Sequence, residues 1–207
     1  GDGDDPSGTT EDRYFTIDGE AVSTLRERAS RFIGIAFHAP DEAALKQRLE
    51  RCAKDHHAAR HFCFAHVLGP AGEVHRANDA GEPAGTAGKP ILRAIQAKGL
   101  TDTAVIVVRY FGGTLLGKGG LVRAYGDAAR LALSDANIVE VVMRDQVRVV
   151  CDHAQFDIVK KDLVLRNGEL VHCDFGITVE AVVSIPRSSV DEVTARWRVL
   201  GIAVQGT

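Results

Sequence analysis

The sequence predicts an α+β protein of two domains, and three observations lead to that reading. Residues 103–108 (TAVIVV) are, after Thr103, a run of Val, Ile and Ala without polar alternation, the mark of a strand covered on both faces and so of a central strand. From Asp145 the pattern changes, with Val147, Val149 and Cys151 alternating with polar residues. The elements that follow run in the order βαββαβ, which is ferredoxin-like.

Taken in order, residues 1–12 (GDGDDPSGTTED) are acidic and Gly-rich, and are expected to be a disordered tail, native or tag-derived, outside the fold. The first domain is expected over 13–143. Within it, residues 31–37 are short and apolar with β-formers, and Pro40 with Asp41 then opens a stretch whose Leu45, Leu49, Cys52 and Ala53 fall at helical spacing. Residues 61–68 read as a strand, Gly69-Pro70-Ala71-Gly72 as a turn and 73–77 as a short returning strand. Residues 78–88 carry too much Gly and Pro for a regular element. Pro90 suits a first helical turn, leading Ile91, Leu92 and Ile95 toward Gly99. After a glycine-rich stretch, Leu121, Tyr125, Ala128, Ala129 and Ala132 repeat at helical spacing, and 138–143 return as a strand.

The second domain is expected over 144–207. Its first strand is followed by a helix over 154–166, stopped by Asn167-Gly168. Residues 169–174 and 177–184 form a hairpin. Ser188 and Ser189 stand at capping-box spacing before Asp191 and Glu192, opening a helix to about Leu200. A last strand lies at 203–205. Trp197, Phe156 and Phe175 read as core of this domain rather than as a base-stacking platform.

The 207 residues, 45% hydrophobic and 26% charged, leave room for two modest cores. A formal net charge of -3 and a pI near 6.3 give no bulk attraction to phosphate polymers, so nucleic-acid contact requires a local basic patch. Cys52, Cys63, Cys151 and Cys173 show no CxxC spacing. They read as buried thiols in a reducing, cytoplasmic compartment rather than as a zinc knuckle or disulfide framework. No apolar run approaches the roughly 18 residues that span a bilayer, so no membrane partner is expected. His56, His57, His61 and His66 with Cys63 do not form a metal set, because on a strand His61 and Cys63 share a face and His66 points opposite. Neither a metal nor a cofactor is expected.

Nine of the 21 glycines fall in two segments, AGEPAGTAGKP at 80–90 and RYFGGTLLGKGGLVRAYG at 109–126. Such density implies positive φ, close backbone approach or amides arranged as an anion-binding nest. Each segment precedes a helix, whose N-terminal amides and dipole favour an anion. The candidate ligand-binding residues are therefore Gly81, Glu82, Thr86, Gly88 and Lys89 in the first segment. Arg109, Gly112, Gly113, Thr114, Lys118, Gly119, Gly120 and Arg123 are the candidates in the second. Tight turns and helix–strand packing would call for the same glycines. Residues 112–118 fit GxxxxGK, but Gly119 stands where Ser or Thr must ligate magnesium, which argues against nucleotide hydrolysis. The Rossmann pattern fails because Val122 occupies its last glycine position.

These paired segments, with SRF at 30–32 and ARHFCFAH at 59–66, resemble the YigZ/IMPACT family over nearly everything after the tail. The resemblance implies a first domain with a ribosomal-protein-like α/β two-layer fold, as in domain IV of elongation factor G, and a ferredoxin-like second domain. It implies a link to translation: bacterial members are suggested to bind nucleic acid, and eukaryotic relatives bind a regulator upstream of the kinase that restrains initiation. The sequence departs from the family pattern at Asp79-Ala80, Ala29 and Lys118.

Three functions are compatible with this reading. The first is a non-enzymatic protein that presents loop amides and cations to RNA or a ribosome-associated factor. The second is an enzyme acting on a small phosphorylated or carboxylated substrate, with Asp79 or Glu82 as acid/base and Lys89 or Arg109 as anion clamp. The third is an adaptor that reads a protein partner.

Overall fold

The computed structural model describes residues 12–206, so the expected tail, Asp12 apart, lies outside the described residues. The chain forms two compact units, Tyr14–Val141 and, from Val142 onward, a second that includes Asp12 and Arg13.

The first unit contains β1 (Arg13–Asp18), β2 (Glu20–Glu27), β3 (Ser30–His38), α1 (Glu42–Asp55), β4 (His61–Leu68) and β5 (Val74–Asn78). It continues with α2 (Gly88–Ala97), β6 (Thr103–Tyr110), α3 (Gly117–Ser134) and β7 (Asn137–Val142). Five strands form one sheet in the order β2-β3-β6-β4-β5, and β1 pairs with β7. β6 is central and antiparallel to both neighbours. Its alternation divides two cores. Val105 and Val107 pack with Phe32, Cys63, Ile91 and Tyr125 under α2 and α3, while Ala104, Ile106 and Val108 pack with Leu45 and Cys52 of α1 on the other face. The unbroken apolar run of this strand is thus explained by cover on both sides.

Local chemistry fixes the ends of these elements. Asp41 caps α1 by accepting the Ala44 amide at 2.8 Å, with Glu42 in the first turn and Lys54 in the last, matching the helix dipole. Gly34 lets α3 lie directly on β3, since a Cβ there would stand 2.5 Å from the Ala128 carbonyl oxygen. β2 and β3 are joined by a two-residue turn, Arg28 and Ala29, with φ of +47° and +66°. Both β1 and β2 escape the sequence reading, because β2 carries apolar side chains on both faces (Ala21 and Leu25 toward the sheet core, Val22 outward) and so lacks a clean period of two.

The second unit contains β8 (Arg144–Cys151), α4 (His153–Leu165), β9 (Glu169–Phe175), β10 (Val179–Pro186), α5 (Val190–Val199) and β11 (Ala203–Gly206). The strand order β11-β8-β10-β9 is the antiparallel ferredoxin-like arrangement. Asn167, at φ +54°, ends α4 as expected. Trp197 is fully buried and donates its indole N–H to Asp162 at 2.9 Å. Phe156 is also core, but Phe175 is 67% exposed, packed edge-on to Phe156 and stacked on His153.

One expected cap is absent. Ser188 lies in a single 3-10 turn and donates its hydroxyl to Asp12, and Ser189 makes no side-chain cap bond to α5. The capping box of this unit instead opens α4, where Asp152 and Gln155 bond reciprocally at 2.7 and 2.9 Å.

Candidate functional site

Because β3 and β4 run antiparallel to β6, the end of β6, the starts of β3 and β4 and the loop into α3 gather at one end of the sheet. The period of two sets what is found there. Arg109 lies on the α2/α3 face, opposite His61 of β4 and Phe32 of β3.

Glu82, from the loop between β5 and α2, reaches into this end and is the centre of a buried cluster. Its carboxylate accepts from Arg109 Nη1 at 2.7 and 3.0 Å and from the Tyr125 hydroxyl at 2.6 Å. His61 Nε2 stands 3.3 Å from the same carboxylate, and its Nδ1 lies 2.9 Å from the Ala80 carbonyl. The Cys63 thiol donates to the Asp79 carbonyl at 3.1 Å. Burial is the first cause that pushes the Cys63 thiol up to about 12, with Glu82 and Asp79 adding to it while Tyr125 and Arg109 pull the other way. The Tyr125 hydroxyl is raised as well, by burial first and then by Cys63 and Glu82. Both groups stay protonated at neutral pH, so the cluster holds no ready nucleophile.

The first glycine-rich segment has an internal purpose. The Asp79 carboxylate accepts the amides of Gly85 at 2.9 Å, Ala87 at 3.1 Å and Gly88 at 2.8 Å. Burial raises the Asp79 pKa, but those three amides and nearby Lys89 outweigh it, and the net shift is downward. The Thr86 hydroxyl donates to the Pro83 carbonyl at 2.6 Å, and the Glu82 amide to the Asp79 carbonyl at 2.9 Å. This corrects the expectation that Thr86 and Gly88 offer donors to an outside anion. The helix N-terminus does bind an anion, as the dipole favours, but that anion is the chain's own Asp79. Gly88 is required for close approach instead, since a Cβ would stand 2.6 Å from the Asn78 amide nitrogen. Gly81 sits at φ +89° in the turn beside His61, and Lys89 is exposed.

The second segment is more open. The Gly112 amide is taken by the Ser30 hydroxyl at 3.1 Å, and a Cβ at Gly112 would meet the Ala29 carbonyl carbon at 2.2 Å. Beyond it, Gly113 and Gly117 take φ of +87° and +71°, and open space adjoins Gly113, Gly117 and Gly119; a Cβ at Gly120 would touch Leu116 at 3.1 Å. No side chain caps the α3 N-terminus. Thr114, Lys118 and Arg123 are exposed, and neither Lys118 nor Arg123 forms an ion pair among the described residues.

The two segments do meet, through the Glu82–Arg109 and Glu82–Tyr125 bonds. Beside them a cleft of about 410 Å³ is lined by Ala58, Arg60, His61, Arg109, Tyr110 and Phe111. Arg109 lies 5.5 Å from the Phe111 ring centroid, and Arg31 covers Tyr110 at 4.4 Å. His61, Tyr125 and Arg60 are absent from the sequence-derived candidates. Tyr125 reads there only as part of an apolar helical stripe, although a phenol on such a stripe needs a polar partner. His61 has its signal in the register, sharing the face of Cys63 and pairing with Arg109.

The fold and this site define an α+β protein of two units, the first carrying a glycine-rich, cation-lined sheet end. Residues 28–133 match the Impact N-terminal domain. The chain is 34% identical over 185 residues to the IMPACT family member YigZ of Escherichia coli (strain K12), covering 88% of this chain and 91% of that protein. It is also 34% identical over 150 residues to the IMPACT family member YvyE of Bacillus subtilis (strain 168), covering 72% and 69%. A solved crystal structure of a hypothetical protein superposes with a TM-score of 0.66 at 28% identity, over 95% of this chain and 98% of that one. The chain belongs to the IMPACT family. Among the described residues no helix is long and apolar enough to cross a membrane.

Proposed function

We propose that this chain is a translation-associated binding protein of the cytoplasm that holds single-stranded RNA, in a ribosomal or ribosome-associated context, at the glycine-rich end of the five-stranded sheet. The observation that carries the reading is the α3 N-terminus, without a side-chain cap, where residues 113–115 and 117–119 are exposed. It contains Lys118 and is followed by Arg123, neither with a carboxylate partner among the described residues. Such a strip offers amides, a positive dipole end and cations to backbone phosphates, the sequence-independent part of nucleic-acid binding. Lys89, Thr114 and Arg60 extend the contact surface.

An acid/base role would need Asp79 or Glu82, and both are engaged in internal bonds, so the enzymatic reading is the weaker one. The test is titration of a fluorescent single-stranded RNA with the full chain at rising salt. With three or four phosphates neutralised, the logarithm of affinity should fall with a slope of about -2 to -3 against log salt. Lys118→Glu and Arg123→Glu should each weaken binding and make the slope shallower. Absence of binding at about 50 mM salt, or indifference to both reversals, would sink the proposal.

A further inference from the structure

We infer that the cleft beside Arg109 is a nucleotide subsite, with a phosphate on its cations and a base on Phe111. The inference rests on the RNA reading and names the part of the surface that holds one nucleotide. A volume of about 410 Å³ falls in the range of small-molecule sites, about 300–1,000 Å³. It suits a single nucleotide rather than a duplex.

The lining is mixed in character. Its cations are Arg60, exposed and without an ion pair among the described residues, and Arg109, only 6% exposed. Of the three Arg109 guanidinium nitrogens only Nη1 is bonded, to Glu82, and the buried Nε has no partner. His61 also lines the cleft, its Nδ1 2.9 Å from the Ala80 carbonyl and its Nε2 3.3 Å from the Glu82 carboxylate. Glu82, 4% exposed, is bonded to Arg109 but is not part of the cleft lining, whereas Arg60 and Arg109 are. The lining also carries two aromatic rings. Tyr110 is fixed by His56 at 2.7 Å and covered by Arg31. Phe111 is 58% exposed, with the Arg109 guanidinium 5.5 Å from its ring centroid, so part of the ring is open to a stacking base. Cationic hydrogen-bond donors for an oxyanion beside a partly open aromatic face fit the chemistry of a nucleotide, free or within a strand.

The test uses the full isotope-labelled chain, followed by amide and arginine Nε–H resonances during titration with adenosine monophosphate, adenosine, inorganic phosphate and a single-stranded RNA 10-mer. Adenosine monophosphate should shift residues 58–61 and 109–111, and bind roughly ten-fold more tightly than adenosine or phosphate alone. Phe111→Ala should weaken adenosine monophosphate by roughly ten-fold and leave phosphate unchanged, whereas Arg60→Gln should weaken both. Each variant keeps the buried Glu82 cluster, so the unliganded spectrum reports its fold. RNA shifting the same residues assigns the subsite to a nucleotide within a strand. Shifts from the mononucleotide without RNA binding assign it to a free nucleotide and end the RNA reading. RNA shifts confined to residues 113–123, with no response at the cleft, overturn this inference and leave the RNA reading standing. No response to any probe overturns both.

Discussion

Asp79 shows how one carboxylate can decide what a glycine-rich loop is for. Its three amide bonds organise the turn from Gly85 to Gly88 and start α2. Asp79→Ala would leave those donors without an acceptor and should cost about 1–3 kcal/mol of stability, measured by urea unfolding. The pH dependence has a definite sign. The Asp79 pKa is lowered in the folded chain, so its stabilisation is fully present above the unfolded value and is lost as pH falls through the folded one. The stability gap between wild type and Asp79→Asn should therefore be widest near neutrality and close below about pH 4. Cys63 gives a second check at this scale. With its thiol pushed up to about 12 and its side chain buried, it should resist alkylation at pH 8 in the folded chain and react on unfolding.

At the scale of elements, glycines in one segment serve opposite needs, and substitution should separate them. Gly112→Ala forces a Cβ against the Ala29 backbone and should destabilise the first unit by about 1–3 kcal/mol in thermal or urea melts. Gly119 lies within α3 with open space beside it. Gly119→Ala should stabilise by about 0.5–1 kcal/mol through helix propensity, yet weaken RNA binding if phosphates approach that backbone. The same elements show how far the sequence could be read. Central β6 and the helices after each glycine segment were legible, because burial on both faces and helical spacing leave local patterns. β2 was not, since apolar residues on both of its faces hide the alternation. The α5 cap expected from Ser188 and Ser189 does not form, because Ser188 bonds Asp12, 176 residues away in sequence, and no local pattern encodes that. Glu82 and Arg109 both stand out in the sequence, but as separate ligand contacts. Their pairing, and the parts of Tyr125 and His61, depend on register across three strands and a helix that no local window contains.

For the whole molecule, the net charge of -3 and the cationic sheet end answer different questions. The sum sets long-range behaviour, whereas binding depends on what lies within about 10 Å at ordinary salt. An overall acidic chain can thus hold a phosphate polymer, provided the cations stand together and their carboxylates are turned inward, as Glu82 is. β6 has a separate consequence. It is bonded along both edges and covered on both faces, so its amide hydrogens can reach solvent only when the unit Tyr14–Val141 opens as a whole. Deuterium uptake at Val105, Ile106 and Val107 should be the slowest in that unit, giving an isotopic clock that reads its opening free energy directly.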